Sequence, residues 1–150
     1  MTLEAVSDRL YPARPILAVS LAVFREGRVL IARRARAPLQ GLYSLPGGVV
    51  EIGETLREAA LRELGEEVGL TARIVAFNDH VESIMRDERG VRAHYVIASF
   101  VARWTGGEAR TSEEADSVLW VDPRNLQDLP ATPGLEGVLA KVADLIEAYP

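Results

Sequence analysis

Apolar residues change their spacing along the chain, and each change marks an element. Ile16 to Phe24 and Arg28 to Arg33 are dense in Val, Ile and Leu, and the polar "REG" between them contains a glycine. The two runs are therefore read as a β-hairpin. "ARAPLQGLYSLPGG", crowded with Pro and Gly, predicts an irregular loop touching a short strand around Tyr43 to Leu45. A helix is predicted from about Thr55 to Val68, with Ala60, Leu64 and Val68 on one arc for docking on a sheet. Thr55 and Glu58 form a T-x-x-E capping box, and Glu54 and Glu58 suit the positive end of the helix dipole. Gly69 marks the stop, since glycine takes the left-handed turn at little cost, and Leu70 can fold back on the last turn.

Further on, "ARIVAFNDHVESIM" and "RAHYVIASFVARW" are rich in β-branched and aromatic residues and flank the polar "RDERG", which predicts a second, longer hairpin. "SVLWV" reads as a further short strand, and "DPRNL" as a helical turn with Asp122 as cap and Pro123 at its first position. A final helix follows from the spacing of Leu135, Val138, Leu139, Val142 and Leu145. Strands with helices inserted after the second and at the end predict an α+β fold, an α/β/α sandwich around a mixed β-sheet. No internal repeat or linker divides the 150 residues, so a single domain is expected.

Composition narrows the chemistry. Hydrophobic residues make up 48% of the chain, enough for a real core. The formal net charge of −5 argues against a broad basic footprint, so neither nucleic acid nor an anionic membrane is an expected partner. The start, "MTLEAVSDRLYP", lacks the layout of a secretory signal, and the apolar run from Ile16 to Phe24 is too short to span a bilayer. A soluble, cytoplasmic protein is expected. With no cysteine, thiol nucleophiles and thiolate zinc sites are excluded.

The helix from Thr55 carries the chemistry. Glu63, Glu66 and Glu67 stand at i, i+3 and i+4 and project from one side. Like charges so placed repel, more so when partly buried, and a hard divalent cation such as magnesium would relieve them. Arg62 is placed to hold a glutamate in position. "LPGG" brings glycine backbone close to the cluster, and Arg33, Arg34 and Arg36 form a local positive patch in an acidic chain, suited to phosphate. Read without that context, the acids and the arginines would be solvated surface.

Gly48, five residues, Glu54, seven residues and then "RELGEEVGL" from Arg62 to Leu70 match the Nudix box G-x5-E-x7-R-E-U-x-E-E-x-G-U at every fixed position, U being a bulky aliphatic residue. The chain resembles the Nudix hydrolase superfamily, and from about Ile16 to Leu129 its bacterial subgroup labelled ADP-ribose pyrophosphatase-like. The resemblance implies metal-dependent hydrolysis of the pyrophosphate bond in a nucleoside diphosphate linked to another moiety. It implies Glu63, Glu66 and Glu67 as metal ligands for Mg2+ or Mn2+, with the Gly47 carbonyl as a further one. Arg62 would orient the acids, and Gly48, Glu54 and Gly69 would shape the loop and helix. Members often add an acid from outside the box, and among Glu113, Glu114 and Asp116 the first choice is Glu114. Arg33, Arg34, Arg36, Glu51 and Tyr43 are candidates for substrate binding, and Tyr95 and Phe77 for stacking a base, although aromatic residues in strands are more often core. His80 and His94 read as ordinary strand residues.

ADP-ribose or a similar nucleoside diphosphate sugar is the leading substrate, with oxidised or ordinary nucleoside triphosphates next. "NDHVESIMRDERG" lacks the proline that ADP-ribose members often carry about fifteen residues past the box. The signatures of NADH-cleaving and dinucleoside polyphosphate members are missing too. A nucleotide-sensing module is the non-catalytic alternative, and such proteins usually lose box carboxylates, all of which stand here. Family habit adds a homodimer.

Overall fold

The computed structural model describes residues 8–150; most of the N-terminal stretch searched for a secretory signal lies outside them. Among these residues seven strands and two helices follow in the order β1 (Ile16–Arg25), β2 (Arg28–Arg34), β3 (Tyr43–Ser44), β4 (Gly47–Val49), α1 (Leu56–Val68), β5 (Thr71–Asp87), β6 (Gly90–Gly106), β7 (Ala115–Val121) and α2 (Leu135–Glu147). The first hairpin turns on Glu26 and Gly27, both at positive φ (51° and 78°), the conformation that matches a two-residue turn to the strand twist. Among the described residues no helix is long and apolar enough to cross a membrane.

One mixed sheet runs β3-β2-β1-β6-β5. Strand β1 lies parallel to β6 from Ile16 opposite Tyr95 to Phe24 opposite Arg103. Its other edge is shared: Phe24 and Arg25 pair with β2, while Ala18, Val19 and Ser20 pair with β4. The sheet therefore forks, with β2 and its neighbours β3 and β7 on one branch and β4 on the other.

Alternation along β1 divides its side chains between two cores. Val19, Leu21 and Val23 pack under α1 with Ala60, Leu64, Val68 and Phe100. Ala22 and Phe24 pack under α2 with Val29, Ile31, Leu139, Val142 and Ile146. Each fully buried Leu or Val is worth about 1.5–3 kcal/mol, so both helices are held by burial rather than by propensity.

The ends of α1 match their prediction. Thr55 Oγ1 accepts the Glu58 N–H at 3.1 Å, and Gly69, at φ 75°, closes the helix with its N–H on the Gly65 carbonyl. Two readings change. Asp122 to Leu126 forms no helix: Asp122 and Asn125 make an isolated bridge, and the Asp122 carboxylate accepts the Arg124 N–H at 2.9 Å. Asp followed by Pro serves a β-turn as well as a helix start. The glycines of "LPGG" lie in β4 rather than in loose loop; β2 itself ends at Arg34, one residue past its predicted end.

Candidate functional site

Strand β4 brings the glycines against α1. The Leu21 N–H bonds the Pro46 carbonyl and the Val50 N–H bonds the Leu17 carbonyl. Gly47 and Ser20 thus face each other as a non-hydrogen-bonded pair, and the N–H and C=O of Gly47 both point away from β1. There the Gly47 N–H donates to Glu67 Oε2 at 3.1 Å. Gly48 leaves room for an acid: a Cβ at that position would stand 2.4 Å from the Glu63 carboxyl carbon and would displace that carboxylate.

Glu63 and Glu67 are buried in this corner, and Glu114, exposed just before β7, reaches toward them. One carboxylate oxygen from each lies within 4.8 Å of the others. Burial pushes the Glu67 carboxyl up to about 7, helped by the charges of Glu114 and Glu63 and opposed by the Gly47 N–H and Arg34. Glu63 is likewise raised by burial, against the pull of Arg62. Three acids so close repel one another, and two of them have already lost water.

Arg62 secures the corner. Its Nε donates to Glu54 Oε2 at 2.7 Å and Nη2 to Glu54 Oε1 at 2.9 Å, a bidentate pair. Nη2 also holds the Val49 carbonyl at 3.1 Å, while Nη1 holds Glu63 at 2.9 Å and Glu66 at 3.2 Å. These contacts keep Glu54 ionised, with its pKa lowered to about 2 by the arginine and by the Glu51 N–H. A single guanidinium ties the loop before α1, the end of β4 and two box acids together.

The remaining candidates separate. The Glu66 side chain is 62% exposed and stands outside the close group of acids, bonded to Arg62. Glu51 is exposed, with its carboxylate 3.8 Å from Arg62. Arg33 is paired with Asp116 at 2.6 Å and Arg36 with Glu113 at 3.1 Å. Arg34 donates from Nε to the Pro38 carbonyl at 2.8 Å and is near enough to Glu67 to favour its ionised form. Tyr43 departs from the sequence reading: it is 6% exposed, belongs to the core under α2 and shares a 3.0 Å hydrogen bond with the Ser117 hydroxyl. Its ring has no open face for a base. Phe77 is half exposed and meets Phe100 edge to face, and Tyr95 is half-buried in β6.

Sequence reasoning missed that Gly47 offers its N–H as well as its carbonyl, because the β4 pairing that aims both was invisible. The same holds for Glu54, whose grip on Arg62 comes from folding the loop back over α1.

A forked mixed sheet between two helices, with buried acids gathered beside a glycine strand, defines a protein with a carboxylate-lined site suited to a hard cation, and comparison with known proteins makes its class particular. Residues 14–142 match the family model described as NUDIX domain, and the chain belongs to the Nudix family. It is 35% identical over 121 residues to an ADP-ribose pyrophosphatase from Methanocaldococcus jannaschii, covering 81% of this chain and 69% of that one. It is 34% identical over 128 residues to a Mycobacterium tuberculosis protein provisionally named 8-oxo-dGTP diphosphatase 2, covering 85% and 87%. The crystal structure of a MutT NUDIX hydrolase from Burkholderia pseudomallei superposes with a TM-score of 0.75 at 28% identity, covering 86% of this chain and 98% of the other. The α+β sandwich is that of the family, and the chain is a Nudix hydrolase, an enzyme that cleaves pyrophosphate bonds. Enzymes of this kind act on small nucleotides and generally use divalent metal ions.

Proposed function

We propose that the chain hydrolyses the pyrophosphate bond of ADP-ribose or a similar nucleoside diphosphate sugar in the cytoplasm, with Mg2+ or Mn2+ held by Glu63, Glu67 and Glu114. The observation that carries the reading is the close approach of these three carboxylates beside Gly47, two of them buried. The donor set fits a hard cation: it is all oxygen, it repels itself when empty, and the Gly47 carbonyl points to the same side as the N–H that holds Glu67. Bound there, the metal supplies charge neutralisation of the pyrophosphate and a water of lowered pKa.

The protein's own groups do the rest. Arg62 fixes Glu63 and orients Glu66, which acts at the rim of the group rather than at its centre. Gly48 leaves room for the Glu63 carboxylate. Arg34 faces the acids from β2 and binds a substrate phosphate, whereas Arg33 and Arg36 are first committed to Asp116 and Glu113. Water attacks one phosphorus, a new P–O bond forms, and the bridging oxygen leaves with the other phosphate. Glu114, exposed at the mouth of the group, takes the proton from the water.

The 35% identity to a protein named as an ADP-ribose pyrophosphatase favours the diphosphate sugar. The 34% identity to one provisionally named for 8-oxo-dGTP favours a nucleoside triphosphate as the second reading. Purified protein with Mg2+ is to be assayed on ADP-ribose, nucleoside diphosphate sugars, dinucleoside polyphosphates and ordinary and oxidised triphosphates. Release of AMP and ribose 5-phosphate from ADP-ribose at the highest kcat/KM is the expected outcome. Preference for a triphosphate would overturn the substrate, and silence across the panel with saturating Mn2+ would overturn the activity.

A further inference from the structure

Among the described residues, one buried side-chain polar atom is left without a hydrogen-bond partner, Asn78 Oδ1. The other end of the carboxamide is engaged, Nδ2 donating to Ser99 Oγ at 3.3 Å. A buried acceptor without a donor is destabilising, and its persistence calls for a reason.

Its place in the sheet supplies one. Phe77 pairs with Phe100 and Asp79 with Ser99, which leaves Asn78 as the extra residue of a bulge. The bulge sets Asn78 against Ser99, on the α2 side of the sheet. Ser99 lies between Ala98 and Phe100, which face α1, and Val101, two residues on, faces α2. By the same alternation Ser20, two residues before Ala22, also looks toward α2. Gly47 is opposite Ser20 on β4, and Ser20 is opposite Ser99 on β6. One row, a glycine and three polar residues, therefore crosses four strands: Gly47, Ser20, Ser99, Asn78. At its Gly47 end is the carboxylate group, through the N–H that holds Glu67. Its Asn78 end is three strand spacings away, on the order of 14 Å. Lys141 of α2, paired with Asp79, borders that end.

We infer that the Asn78 carboxamide oxygen reads the base of the nucleotide, accepting a hydrogen bond from an exocyclic amino group when the nucleoside lies along this row with its phosphates at the Gly47 end. The inference rests on the nucleotide reading of the site and adds the base. A carboxamide suits an amino-bearing edge, such as that of adenine or cytosine, which uracil and hypoxanthine replace with an oxo group. In the ligand-free chain the oxygen is covered, and a rotamer change at the bulge brings it to the base. Ser99, fully buried, holds the amide nitrogen in the ligand-free chain, and that bond is released when the carboxamide turns to the base.

The test is equilibrium binding of AMP against IMP, and of CMP against UMP, to the wild type, Asn78→Leu and Asn78→Asp, with melting temperatures for each. The wild type is expected to bind the amino-bearing member of at least one pair about tenfold more tightly. Asn78→Leu, or Asn78→Ala where the leucine variant does not fold, abolishes that ratio, and Asn78→Asp, which keeps an acceptor, retains it. Equal binding of both members by the wild type, no binding of any monophosphate, or an Asn78→Leu variant altered only in melting temperature would overturn the assignment. Monophosphate binding needs no turnover, so loss of base discrimination is read separately from failure to hydrolyse the nucleotide substrates.

Discussion

Glu66 and Glu67 are chain neighbours with opposite surroundings, one in solvent and the other buried against the Gly47 N–H. Substitution should separate them. Glu67→Gln is expected to lower kcat/KM by about a hundredfold or more, whereas Glu66→Gln, which disturbs only an exposed contact with Arg62, costs clearly less. Steady-state kinetics with saturating Mg2+ checks both. Gly48→Ala places a methyl group on the Glu63 carboxyl, so activity falls out of proportion to any loss in melting temperature. The acids themselves were legible in the sequence because their spacing on a helix is fixed by its geometry. Which of them sink into the protein was not, since that depends on β4 and on the loop before β7. Tyr43 shows the same limit, for an aromatic residue at the start of a short strand beside the glycines reads as a candidate for substrate binding until the core under α2 claims it.

At the scale of elements, α1 carries its signals locally, and its two ends fell where the Thr55 box and Gly69 placed them. Thr55→Ala removes the oxygen that accepts the Glu58 N–H and is expected to destabilise the fold by about 1 kcal/mol in denaturant unfolding. Gly69→Ala adds left-handed strain, and its methyl group would stand 2.5 Å from Arg110 Nε, so a larger loss of stability is expected from the same measurement. Strand β4 could not be read, because glycines are poor strand formers and this one exists only through its pairing with β1. The Asp122 turn failed for a related reason: Asp-Pro starts both turns and helices, and only the tertiary surroundings decide between them.

For the molecule as a whole, the buried acids link stability to pH and to metal. With its pKa raised from about 4.5 to about 7, Glu67 in the folded, metal-free chain keeps a proton that the unfolded chain has already lost. The resulting stability is fully present below about pH 4.5 and disappears as pH rises through about 7, with an upper bound of about 3 kcal/mol. Metal-free protein is therefore expected to lose stability through Glu67 from pH 5 to pH 8, and Glu67→Gln removes that slope. Mn2+ binds the ionised form, so it raises the melting temperature more at pH 8 than at pH 5. The mixed sheet between helices was legible from alternation and period. The fork that opens beside β1 was not, because no local pattern reveals that one strand edge serves two partners. That fork is what sets Gly47, Glu67 and Glu114 together, and the assignment of a metal to them is the central claim. Titration of Mn2+ at pH 7.5, followed by the electron paramagnetic resonance of the free ion, tests it most directly. The wild type and Glu66→Gln should take up Mn2+ with similar affinity, while Glu67→Gln binds at least tenfold more weakly. Uptake by Glu67→Gln equal to that of the wild type would contradict it.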